Sequence, residues 1–200
     1  SLIYRTGFNP GYIGAWLSDG SKLNYSFQSA KSLSARVVDI YKVHGSLDWF
    51  KKGGTEAICA FPVGCHAPKD FAKLIVPPGL TKYQEAFQEP FRTIIARADQ
   101  ALDKANGFFC VGYGFNDEHI HLKLLSRAKQ HRKPIVALAK TLTEKTRNIL
   151  CDAGDNDLCF VALEEHEAHG TKVYTTHHKQ GITIEGLELW NFQHFVNEVL

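Results

Sequence analysis

Two short stretches of this 200-residue chain combine side chains able to do chemistry with glycines able to admit a ligand. The first, Lys42-Val43-His44-Gly45-Ser46-Leu47-Asp48-Trp49, sets an imidazole beside a glycine. An imidazole titrates near neutral pH and suits moving a proton to or from a hydroxyl or a water. The second runs from Phe108 to Ile120, an apolar strand sequence that breaks into Gly112-Tyr113-Gly114-Phe115-Asn116-Asp117 and continues as Glu118-His119-Ile120. Glycines let backbone amides approach a phosphate or ribose closely, and Asn116 and Asp117 add acceptors for ribose hydroxyls. In an open parallel sheet, ligands gather outside the carboxyl ends of strands, where such a turn falls. Together the two stretches point to a nucleotide site.

Each residue also has a structural alternative. His44 can close a strand and bond to backbone, and Asp117 can cap the helix that follows it; both readings stay open for both residues. His119 and His121, two apart, point to different faces of a helix and do not suit a shared metal. His166 and His169, three apart, share a face if helical, and they have no third ligand; His177 and His178 complete the temptation. The five cysteines (Cys59, Cys65, Cys110, Cys151, Cys159) form an odd set with no Cys-x-x-Cys pair, which fits reduced thiols. No metal site is expected. Cys110, inside an apolar run, reads as a small core residue, and Trp49 and Trp190 read as core or interface anchors.

The elements that must position these residues follow from periodicity. Val37–Val43 is β-branched and predicts a strand delivering His44 at its end, followed by a turn over Asp48–Gly54. A short strand is expected over Ala57–Val63, the stretch to Leu80 reads as mostly irregular, and residues 1–36 read as loop with short strands. Apolar residues at helical spacing predict a helix over Tyr83–Asn106, closed by Gly107. Phe108–Val111 is a buried strand and Asp117–His131 a helix with Leu122, Leu124, Leu125 and Ala128 inward. Ile135–Leu138 and Cys159–Leu163 are further strands, Thr143–Cys151 is helical, and Trp190–Leu200 ends the chain as an amphipathic helix. This alternation predicts one mainly parallel α/β sheet containing the strands at Val37, Phe108, Ile135 and Phe160, with helices on both faces.

Composition narrows the class. With 44% hydrophobic and 22% charged residues the chain has the makeup of one globular domain with a real core. A net charge of +2 with scattered basic residues names no partner, and direct nucleic-acid binding is not expected. The amino-terminal residues lack the pattern of a signal peptide, and no run approaches the ~20 apolar residues of a membrane span, so a cytoplasmic location is expected.

The two motifs, in this order, resemble the Sir2-like family, in particular the bacterial Sir2-like domains that cleave NAD in anti-phage defence. The resemblance extends from about Val37 to the carboxyl terminus, where Leu189-Trp190-Asn191-Phe192 with Phe195 is similar to the ending of such domains. It implies a Rossmann-like α/β fold and NAD as the substrate of nicotinamide–ribose cleavage, without a metal. By resemblance His44 is the base, acting on a ribose hydroxyl or the attacking water. Gly112, Tyr113, Gly114, Phe115, Asn116 and Asp117 line the nucleotide, and His119 matches the family's Asp-Glu-His-Ile run. The family also implies a homo-oligomer and an ATPase partner of the HerA type. Deacylating relatives carry a four-cysteine zinc ribbon between the motifs, whereas this interval holds Cys59 and Cys65 alone. The family's opening glycine-rich turn and its catalytic asparagine segment have no counterpart here. Residues 1–200 are therefore expected to form a partial domain, incomplete at its amino-terminal side, whose activity needs upstream residues. The alternative is a non-catalytic nucleotide-binding or assembly module.

Overall fold

The computed structural model describes residues 2–5, 36–55, 58–61, 68–76, 89–152, 158–167 and 169–200. The chain divides into two compact units, Ser1–Ala98 and Asp99–Leu200. The expected irregular segments lie largely outside the described residues, as does the first part of the helix predicted from Tyr83.

In the first unit β1 (Leu2–Arg5) pairs in parallel with β2 (Arg36–Asp39), Leu2 opposite Arg36. β3 (Gly45–Lys52) is the centre of an antiparallel sheet between β4 (Ile58–Ala60) and β5 (Phe71–Ile75). Two expectations are corrected here. The strand predicted over Val37–Val43 ends at Asp39, because the chain then folds on itself: Val43 N–H donates to the Tyr41 carbonyl and Gly45 N–H to that of Lys42, both at 3.0 Å. Its partner among the described residues is β1 rather than a strand of the second unit; β-branched residues specify a strand but not its neighbour. The turn expected over Asp48–Gly54 is instead mostly β3. Trp49 packs with Ile58 and Ile94, while the Phe50 ring meets Phe61 edge-on at 5.1 Å. Burying two large rings on opposite faces of one strand outweighs the weak turn signals of Ser46 and Asp48.

α1 (Phe91–Lys104) crosses the boundary between the units in sequence. In the second unit β6 (Phe108–Val111), β7 (Ile135–Leu138) and β8 (Phe160–His166) run parallel in register, Phe108 opposite Ile135 and Ile135 opposite Phe160. β9 (Gly170–Thr175) and β10 (Ile182–Ile184) then extend the sheet antiparallel, giving the order β6-β7-β8-β9-β10. The fold is thus α/β with a sheet of mixed parallel and antiparallel strands rather than a mainly parallel one. β9 is a mostly polar run, Gly-Thr-Lys-Val-Tyr-Thr, that returns as a hairpin from His166 to Gly170, so it carries none of the continuous apolar signal of a buried parallel strand.

Strand periodicity divides the sheet's side chains between two cores. On one face Cys110, Ile135, Ala137, Phe160, Ala162 and Tyr174 pack with Leu124 and Ala128 of α2 (Glu118–His131). They also pack with Leu150 and Cys151 of a π turn (Asn148–Asp152) that continues α3 (Glu144–Arg147). On the other, Val136, Leu138, Leu163 and Val173 pack with Leu189, Trp190 and Phe195, the last on α4 (Phe192–Val199). Helices on both faces are as expected. Leu122 is not inward but 61% exposed, because two residues of helix rotate it about 200° from Leu124. Among the described residues no helix is long and apolar enough to cross a membrane.

Candidate functional site

The His44 motif is a folded unit in which the neighbouring residues hold the turn. Gly45 has φ +81°, and a Cβ there would lie 2.2 Å from the Leu74 carbonyl oxygen of β5, so no other residue fits. The His44 carbonyl accepts from Val76 N–H at 2.9 Å. Lys42 Nζ donates to Ser46 Oγ at 2.8 Å, stands 3.6 Å from the Asp48 carboxylate and lies 5.5 Å from the centre of the Trp49 ring. His44 itself is half-buried just ahead of β3.

The glycine turn leaves β6 at the carboxyl end of the parallel strands. Gly112 N–H donates to the Leu138 carbonyl at 2.8 Å, which carries the β6–β7 pairing one residue past the strand. Gly112 has φ +61° and nothing within 4 Å of where a Cβ would stand, so one side of the turn is open. Gly114 is the opposite case: its Cβ would lie 3.0 Å from Thr143 Cγ2 and 3.1 Å from Asn116 Nδ2.

Phe115 also has positive φ, +56°, and its ring is 0% exposed within the core. It does not line a ligand surface; its left-handed backbone turns the ring inward, and burial offsets that conformation. Tyr113 is half-buried with its ring 4.8 Å from that of Phe115 and its hydroxyl 3.4 Å from the Asp117 carbonyl oxygen. Burial, reinforced by the charges of Asp117 and Cys110, pushes the Tyr113 phenol above its usual range, so it stays a neutral donor.

Asp117 holds the N-cap position of α2 with φ −87° and ψ 102°, yet its carboxylate makes no capping hydrogen bond to the helix. The alternative of a side-chain cap is therefore not how this residue is used. Asn116 and His119 are exposed beside it. His121 is buried and its Nδ1 meets the Asp117 carbonyl at 2.8 Å, so this nitrogen carries the proton. His119 and His121 do point to different sides of α2. Glu118 in the first helical turn adds a second acid next to Asp117.

Sequence reasoning missed the supports of this turn. Thr143, the N-cap of α3, donates its hydroxyl to the Gly114 carbonyl at 3.1 Å and accepts from Thr146 N–H at 3.1 Å. Next to it, Leu142 N–H donates to Glu164 Oε2 at 3.1 Å. Glu164 is buried; its Oε1 also accepts from Tyr174 Oη at 2.6 Å, and both its oxygens accept from Arg147 Nη2, Oε1 at 2.6 Å. Burial alone would raise the Glu164 pKa, but the Tyr174, Arg147 and Leu142 donors outweigh it and hold the carboxyl below the usual 4.5. A Thr-x-x-Thr capping pattern after an apolar strand was the available signal for Thr143; the Glu164 partners are set by sheet register and had none.

The remaining candidates make other contacts. His166 ends β8 and His169 lies in the following hairpin turn with φ +57°, so the shared helix face does not form. His169 Nδ1 and His194 Nδ1 instead approach the two oxygens of Glu188, at 2.9 and 3.3 Å. Among the described residues no group of three or more His, Cys, Asp or Glu is placed to hold a metal ion. Cys110 is buried, which pushes its thiol up to about 11 and suits its reading as a core residue. No family model matches the chain, and no curated protein matches it.

Proposed function

We propose that the chain is a Sir2-like domain that binds NAD and, in its full-length protein, hydrolyses the nicotinamide–ribose bond to deplete NAD in defence. The observation that carries this reading is Gly112: a left-handed, unobstructed glycine at the carboxyl end of three parallel strands, followed by Asn116 and Asp117. An open cradle flanked by an amide and a carboxylate fits a ribose-bearing ligand. By the resemblance His44 is the proton carrier for the ribose hydroxyl or water that the reaction deprotonates.

A binding module without chemistry is favoured by a separate observation: the glycine turn with Asn116 and Asp117 lies wholly within the second unit, whereas His44 belongs to the first. Incubation of the full-length protein with NAD, following nicotinamide release, separates the two. His44→Ala is expected to lower release by 10²–10⁴-fold, the usual share of a general base, while nucleotide binding persists. Equal release by His44→Ala removes the base, and binding without release in the wild type leaves the module.

A further inference from the structure

The Thr143 hydroxyl has one donor and two acceptor lone pairs, and all three are engaged. Its proton goes to the Gly114 carbonyl at 3.1 Å. It accepts from Thr146 N–H at 3.1 Å and stands 2.8 Å from Thr146 Oγ1, whose proton it therefore receives. A Cβ built on Gly114 would stand only 3.0 Å from the Thr143 methyl carbon, so the two residues are closely apposed. The residue before it is fixed independently by Leu142 N–H on the buried Glu164 carboxylate. A loop from the next strand thus grips the middle of the glycine turn, between the open Gly112 and the Asn116–Asp117 pair.

We propose that Thr143 is the positioning residue of the nucleotide turn: its hydroxyl holds the Gly114 carbonyl, and so aims Gly112, Asn116 and Asp117 at the ligand. This rests on the reading that the turn binds NAD. Thr143 touches no reacting atom; the ordered turn lowers the cost of binding because fewer backbone states are lost when the ligand arrives. It should act on affinity and not on the proton step.

The test compares Thr143→Val, which keeps the shape and removes the hydroxyl, with Thr143→Ser, which keeps the hydroxyl. NAD affinity of the full-length protein is measured by calorimetry, and amide exchange is followed over residues 112–117 and over α2. Thr143→Val is expected to bind NAD about tenfold more weakly and to raise KM with kcat unchanged. Exchange should accelerate in the turn while α2 stays protected. Thr143→Ser should restore affinity to within about twofold. If Thr143→Val fails to fold, the Ser variant decides: a tenfold loss in folded Thr143→Ser places the role outside the hydroxyl and overturns the proposal. Unchanged affinity in folded Thr143→Val also overturns it while leaving NAD binding intact. A wild-type protein that binds no NAD removes the functional reading itself, and accelerated turn exchange in Thr143→Val would then identify a purely structural clamp.

Discussion

Two glycines one motif apart illustrate how a residue type can be legible while its reason is not. Gly45 and Gly112 both have positive φ, +81° and +61°, and both stand in the motifs that the sequence singles out. Gly45 is closed in by the Leu74 carbonyl, a contact with a strand that is distant in sequence, whereas Gly112 faces open space. Gly45→Ala should therefore add a backbone clash to left-handed strain and cost about 3 kcal/mol or more. Gly112→Ala should cost only the left-handed penalty, roughly 1–2 kcal/mol, and remain folded while its methyl group obstructs the turn. Urea unfolding of both variants checks this; equal losses would mean that close approach is not what requires Gly45. Phe115 makes the same point in reverse. Its place in the glycine run suggests a ligand contact, but the sign of φ at a non-glycine residue is invisible in sequence, and that sign decides whether the ring faces a ligand or the core.

At the scale of elements, the legible parts were those with local signals. β6, β7 and the first half of β8 are short apolar runs bounded by Gly107, Pro134 and polar residues, and α2 shows its buried face at helical spacing. β3, β9 and β10 were hidden because each gains its stability across a hairpin or from rings contributed by another strand. α4 was legible as an amphipathic stretch; the structure adds that Asn191 caps it, its carboxamide oxygen accepting from the Gln193 amide at 2.9 Å, and that Phe195 is its buried residue. Phe195 joins Leu138 and Leu163 in one cluster, and its ring lies 5.4 Å from that of Phe109. Phe195→Ala should cost about 3 kcal/mol and release α4 from the sheet before the sheet itself unfolds. Limited proteolysis should then cut beyond Trp190 under conditions where Phe108–Thr175 stays intact. Simultaneous loss of both regions would show that α4 and the sheet form one cooperative unit.

At the scale of the whole molecule, the pH response should follow from the carboxylate that braces the β7–α3 loop. Glu164 has a folded-state pKa below its ordinary 4.5, so it stabilises the fold fully above that value and progressively less as pH falls through the lower one. Asp103 is also held low by Arg127 and Lys123, but it lies on the surface, where salt screens the interaction. Measuring urea unfolding from pH 7 to pH 2 in about 0.5 M salt therefore suppresses such surface pairs, and comparison with Glu164→Gln picks out the buried carboxylate. The wild type should lose stability from about pH 4.5 downward. Glu164→Gln should be less stable at pH 7 by roughly 2 kcal/mol, because Arg147 and Leu142 N–H lose their charged acceptor, and its acid limb should be flatter, so that the two curves converge at low pH. The Arg147 side chain is about a third exposed, which limits the penalty of leaving it unpaired. Parallel curves would show that the Glu164 network adds nothing to acid sensitivity, and a glutamine variant as stable as wild type at pH 7 would remove its role as the anchor of the loop behind the glycine turn.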